Sequence, residues 1–306
     1  MAILRIRHET VYRYRSPVAF GEHRALLRPR ESMDQRTLDY RLEVEPRPAR
    51  VSWQEDASGN AVVVMNFDRR APMLRVVATM VVEQTPFDTT HVSLPAAVRT
   101  CPFSYPREKM PDLARFIERQ QPDAGGAVEA WARRILDETP GRDSWAFLCR
   151  MNDAIEGGFS YIRREEEGIQ DAAATLRSGR GSCRDFAVLM AEAVRSLGFA
   201  ARFVSGYLYV PHDESHIRQA GGNTHAWLQV FLPSVGWVDF DPTSGWVGNA
   251  GLVRVATVRD PRQAMPLSGS FTGFPGDFLG MSVDVDVTSE GYATPAAWVS
   301  MRAAAR

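Results

Sequence analysis

The sequence predicts an α+β protein, in which an amino-terminal β-sandwich precedes a unit built from a cysteine-bearing helix packed on an antiparallel sheet. Three observations predict it. Residues 1–98 carry short alternating apolar runs separated by turn residues. A proline-rich passage over residues 95–111 then gives way to apolar residues at three-and-four spacing. After a long helical run opening at Cys183, strand-like alternation returns over residues 200–242. The expected division is a β-rich domain at 1–98 and a second domain at 99–306 that includes a carboxy-terminal strand.

Taken in order, residues 4–8, 11–14, 38–44, 62–67 and 74–82 read as strands, punctuated by Ser58-Gly59-Asn60 and the Pro46/Pro48 pair. Residues 113–117, 128–136 and 145–155 keep helical spacing, and Cys149 falls inside the last as a packing residue. Phe186, Leu189, Met190, Ala193, Val194 and Leu197 form one face of the next helix, with Glu192, Arg195 and Ser196 largely off that face. Its start is marked by Gly179, Gly181 and Ser182, with Asp185 three residues further on, and Gly198 ends it. A strand over 200–210, a polar loop over 211–223, a strand carrying His225, Trp227, Gln229 and Phe231 on one face, and a strand over 237–242 follow. Residues 281–287 alternate as a last strand before a frayed Ala/Arg tail.

The helix start places Cys183 where unpaired backbone N–H groups and the positive end of the helix dipole favour an anion, and a thiolate is such an anion. By itself this position suits a buried, inert cysteine equally well. The following strands add partners. If they form a hairpin with an odd-length loop, Asp241 lies across from His225 on the same face, while Asp239 sits two residues along, roughly 7 Å away. Base and orienting carboxylate would then follow the thiol in chain order.

Gly-Ser-Cys183-Arg-Asp-Phe-Ala, residues 201–207 (ARFVSGY), Thr-His225-Ala-Trp, Gly236-Trp237 and Phe-Asp241-Pro-Thr together resemble the transglutaminase-like superfamily, a papain-related fold. The amino-terminal pattern His8-x-Thr10-x-Tyr12-x-Tyr14, followed by Leu27-Arg28-Pro29, resembles the region found ahead of the catalytic domain in bacterial members. The resemblance implies Cys183 as nucleophile, His225 as general base and acid, and Asp241 as the residue that orients the imidazole; it places an aromatic, Tyr161, ahead of the cysteine helix. It further implies acyl transfer from an amide or peptide, with hydrolysis favoured over cross-linking and a peptide or protein as substrate. The competing reading is a non-catalytic peptide-binding module on the same fold; another makes Cys183, His225 and Asp241 metal ligands. Val258 and Pro261 depart from the family's usual Gly and Tyr around Arg259-Asp260, which bears on substrate preference.

Composition narrows the remaining classes. Hydrophobic content of 44% with 24% charged residues is that of an ordinary globular chain. A net charge of −1 and pI near 6.6 supply no general attraction to nucleic acid or an anionic membrane. No apolar run reaches membrane-spanning length and charge interrupts the amino terminus early, so a cytoplasmic protein is expected. Three cysteines without a close pair argue against a disulfide framework and a zinc site. No cofactor and no metal are expected: His8, His23 and His91 are scattered, and His212 and His216 lie in a polar loop without a completing carboxylate. Lys109, the one lysine, reflects codon bias toward arginine. Nothing in the sequence specifies an oligomeric state.

Overall fold

The computed structural model describes residues 1–89, 92–163, 168–210 and 224–290. His91, the loop with His212 and His216, and the tail after 290 lie outside these residues. Five strands open the chain: β1 (Ala2–Ala25), β2 (Gln35–Glu45), β3 (Arg50–Glu55), β4 (Ala61–Asn66) and β5 (Arg70–Gln84). Strand β1 joins what read as two strands, because Ala2, Leu4, Ile6, His8 and Thr10 keep one face buried without interruption. Its first half pairs with β5, and its end pairs with β4. The expected sandwich is thus one curled antiparallel sheet that bends along β1, with Phe20 edge-on to Phe67 and Tyr14 among its apolar contacts.

Helices α1 (Ala96–Arg99), α2 (Met110–Ile117), α3 (Ala127–Asp137) and α4 (Ser144–Gly158) come next. The short β6 (Ser160–Tyr161), helix α5 (Ala172–Ser178) and β7 (Arg180–Gly181) lead into α6 (Cys183–Ser196). Strands β8 (Ala201–Leu208), β9 (Thr224–Leu232), β10 (Gly236–Asp241), β11 (Trp246–Val247) and β12 (Leu252–Val258) form a second antiparallel sheet in the order β11-β10-β9-β8-β12. Helix α6 packs on β8 and β9 and is covered by α3, α4 and α5. Residues 185–195 are therefore buried all round, including Glu192 and Arg195, which the helical spacing set apart from the apolar face. They are paired rather than solvated: Arg195 Nη1 lies 2.7 Å from Glu192 Oε1, Glu192 accepts the backbone N–H of Gln120, and Arg195 donates to the carbonyl of Ala201.

The carboxy-terminal strands depart from the expected division. Both β13 (Leu267–Thr272) and β14 (Phe278–Glu290) pair with β1, so the last part of the 99–306 segment completes the first sheet and not the second. Alternation over 281–287 reports which face is buried but not which edge is taken, and β1 offered a long free edge.

Side chains of the first sheet also close the second. Gln35, Asn60 and Gln84 are buried carboxamides, and each meets the backbone of β12 as another peptide group would. Gln35 donates to Arg254 O and accepts from Arg254 N, both at 2.8 Å. Asn60 does the same at Thr257, at 3.1 and 2.9 Å, while Gln84 donates to Leu252 O and accepts from Gly251 N. An edge strand is thereby satisfied without another strand beside it. His8, from the amino-terminal motif, adds a buried bond from Nδ1 to the Tyr207 hydroxyl at 2.9 Å, and burial pushes its pKa down to about 4, so it is neutral there.

Candidate active site

Cys183 is the first residue of α6, and the turn before it is held by Asp185. One oxygen of that buried carboxylate accepts both the N–H and the hydroxyl of Ser182 at 2.8 Å; the other accepts the N–H of Gln170 at 2.7 Å. This fixes the helix start and leaves the thiol only partly covered. Across the site, His225 begins β9 and Asp241 ends β10, and both are buried. Imidazole Nε2 lies 2.8 Å from Asp241 Oδ2, while Asp241 Oδ1 accepts the backbone N–H of Thr243 at 3.0 Å. With Nε2 taken, Nδ1 is the nitrogen left to face Cys183, which helps hold the ring's proton. Burial alone would strip the imidazole of its proton. The charge and hydrogen bond of Asp241, with those of Cys183, outweigh it and raise the pKa to about 10.

The hairpin reaches this pairing by a different register from the one expected. The ladder sets Phe240 opposite Leu228 and Asp239 opposite Gln229, because the turn is centred on Ser234, so Asp241 is a diagonal neighbour of His225. Trp227 repeats the pattern, its Nε1 donating to Asp239 Oδ1 at 2.6 Å. Two ring side chains with N–H donors reach along the strand to carboxylates on the neighbouring strand, within the reach that sheet twist allows large side chains. Trp227 is fully buried and stacks on His225, with ring centroids 5.9 Å apart. Room for the indole comes from Gly206, where a Cβ would fall 2.0 Å from Val253 O and 2.9 Å from the Trp227 ring.

Asp239, the competitor for the orienting role, is engaged elsewhere. Its Oδ2 accepts from Arg254 Nη1 at 2.8 Å, and Arg254 Nη2 donates to Ser32 Oγ at 3.0 Å and to Asp34 Oδ1. A chain Trp227–Asp239–Arg254, buried throughout, thus runs from behind the imidazole to the half-buried Asp34 beside the first sheet. The signal for Trp227 and Asp239 was present as two acids and two ring donors on facing strands; Arg254 and Asp34 are too distant in sequence for spacing to join them.

Tyr161 stands in β6 opposite Gly181 of β7, and burial, then the nearby Cys183, raises its phenol to about 12. Two further cysteines lie away from the site. Burial raises Cys101 to about 11; burial followed by Asp153 and Asp143 raises Cys149 to about 12. Both are protonated at neutral pH. Among the described residues, no group of three or more His, Cys, Asp and Glu is placed to hold a metal ion, and Nε2 of His225 is already bonded to Asp241. No described helix is long and apolar enough to cross a membrane.

Comparison with known proteins identifies the family and the fold. Residues 4–83 match the model of the bacterial transglutaminase-like N-terminal region, and residues 129–242 match that of the transglutaminase-like superfamily. Over 289 residues the chain is 30% identical to an uncharacterized protein of Mycobacterium leprae, spanning 92% of this chain and 98% of that one. An uncharacterized protein of Mycobacterium tuberculosis is 28% identical over the same length, with 92% and 91% covered. The crystal structure of a candidate cysteine protease from Cytophaga hutchinsonii shares the fold, with a TM-score of 0.71, 20% identity, and 95% of this chain and 92% of that one covered.

Proposed function

Because the chain belongs to the transglutaminase-like superfamily, we propose that it is a cysteine-dependent acyl-transfer enzyme acting on amides or peptides in the cytoplasm, with hydrolysis favoured over cross-linking. One observation carries the reading: a buried imidazole bonded to the carboxylate of Asp241, with Cys183 near enough to help raise its pKa. The raised imidazole pKa keeps His225 as imidazolium beside the sulfur at neutral pH, which is the resting state of a cysteine nucleophile.

Cys183 Sγ attacks the carbonyl carbon, and the electron pair of the C=O bond moves to oxygen, where the Cys183 backbone N–H at the start of α6 donates to it. As the intermediate collapses, the C–N bond breaks and His225 gives its Nδ1 proton to the departing amine. A thioester on Cys183 and a neutral imidazole remain. Water enters, gives a proton to Nδ1 and attacks the thioester carbon; the C–S bond then breaks, releasing a carboxylic acid and restoring the ion pair. Asp241 holds Nε2–H throughout, so that Nδ1 always faces the reacting atoms. Hydrolysis is favoured because water needs no recognition site of its own.

A glutamine-containing peptide library incubated with the protein, with and without a primary amine, and read by mass spectrometry tests this. The expected products are cleaved peptides or glutamine converted to glutamate, lost in Cys183→Ala. Amine adducts as the main product would make the reaction transamidation. Binding without any product would favour a peptide-binding module.

A further inference from the structure

A pocket of about 350 Å³ opens at the far end of the second sheet from the thiol, between α2, the start of β8, the β9–β10 turn and the β3–β4 turn. Its walls are aromatic, from Phe116, Phe231 and Trp237, and its charges are Lys109, Arg115 and Arg202 against one acid, Asp112. Phe231 lies six positions along β9 from His225, about 20 Å of strand, and the Trp227–Asp239–Arg254 chain lies between. It is not an extension of the cleft at Cys183.

Arg202 is the informative group. Its guanidinium lies over the Trp237 ring, 4.2 Å from the centroid, and Nε is anchored on the neutral oxygen of Gln229 at 2.9 Å. Among the described residues no carboxylate bonds to it. The acids of this region are committed or exposed: Asp239 to Arg254 and Trp227, Asp112 to solvent on the surface of α2. Burial, with Arg30 and Arg254 close by, lowers its pKa, and Asp239 is the group that acts the other way. A guanidinium fixed by its stem nitrogen and stacked on a ring presents its two terminal nitrogens as a fork, the geometry that matches a carboxylate. The surrounding volume lies in the range of small-ligand sites and is lined for an apolar body.

We propose that this pocket is a second ligand site, taking a small carboxylate with an aromatic or other apolar body, the carboxylate on the Arg202 fork and the body between Phe116, Phe231 and Trp237. Arg202 and Gln229 face each other in the β8–β9 ladder, so the occupant sits on the same two strands that carry Gly206 and His225 at their other end. The site is independent of the catalytic reading, and its test does not use activity.

The test is ligand-observed saturation-transfer NMR and thermal shift on the full chain, with phenylacetate, its neutral isostere phenylacetamide, and inorganic phosphate. The expected result is binding of phenylacetate at least about tenfold tighter than of the amide, which corresponds to about 1.4 kcal/mol, with phosphate weaker than both. In Arg202→Gln the preference for acid over amide should disappear while the bulk of the fold persists by circular dichroism. Should that variant not fold, the acid-to-amide ratio on the unaltered chain still decides. Equal affinity for acid and amide, or a ratio unchanged in a folded Arg202→Gln, overturns the proposal; phosphate binding as tightly as phenylacetate overturns the carboxylate assignment.

Discussion

Replacing Asp241 by Asn keeps the shape of the side chain and removes what the site uses. In the protein as it stands, Oδ2 faces imidazole Nε2 at 2.8 Å and Oδ1 accepts the N–H of Thr243 at 3.0 Å. An amide offers one acceptor and one donor, so it satisfies Thr243 only by turning its NH2 toward Nε2. The imidazole must then carry its proton on Nδ1 and cannot take another from Cys183. The charge lost is the foremost of the influences raising the His225 pKa to about 10, and burial, the largest influence of all, opposes it. In Asp241→Asn the imidazole should titrate near or below its ordinary 6.5, a fall of several units at about 1.36 kcal/mol each. Activity should drop by about 10²–10⁴-fold. The pH dependence of stability follows. Because the folded pKa is raised, the stabilisation is complete below about 6.5 and fades as pH rises through about 10. Two-dimensional NMR of histidine-labelled protein between pH 5 and 11 reads both states directly, without a substrate. An unaltered chain whose His225 titrates near 6.5, or an Asn variant whose His225 still titrates near 10, would show that Asp241 does not hold the imidazolium.

Other outcomes follow from the same geometry. Iodoacetamide at neutral pH should label Cys183 well before Cys101 and Cys149, whose thiols burial holds protonated, as peptide mapping would show; faster labelling of either would move the nucleophile. Asp239→Asn should cost about 3 kcal/mol in denaturant titrations, the lower part of the ~3–5 expected for breaking a buried pair, because Asp34 still faces Arg254. Gln84→Ala should cost about 1–3 kcal/mol by leaving the Gly251 N–H and the Leu252 carbonyl without their partner, and should increase amide exchange at Gly251 but not at Leu252, whose N–H donates to Asn249 O; unchanged exchange at Gly251 would show that the edge is closed by something else.

The helix start at Cys183 was legible because its signals are local: Gly181, Ser182 and Asp185 act within one turn. The strand face of His225 was legible from alternation alone. The pairing with Asp241 came out through a register displaced along the hairpin, since a one-residue difference in where the turn centres leaves the same residues on the same face and the long ring side chains reach diagonally. What alternation does not encode is the edge a strand occupies, so the sequence groups β14 with residues 99–306 although it pairs with β1. Contacts such as Gln35 on Arg254, Asn60 on Thr257 and Asp34 on Arg254 join residues about 200 apart in the chain. No periodicity announces them, and a buried carboxamide reads in sequence like a surface one.

Whether Cys183 and His225 act as one unit is decided by a double-mutant cycle on a peptide cleaved by the protein. Cys183→Ala and His225→Ala should each abolish turnover to about the same floor, and the double variant should be no worse than either, as mutually dependent catalytic groups behave. Losses that add in the double variant, or turnover that survives Cys183→Ala, would contradict it.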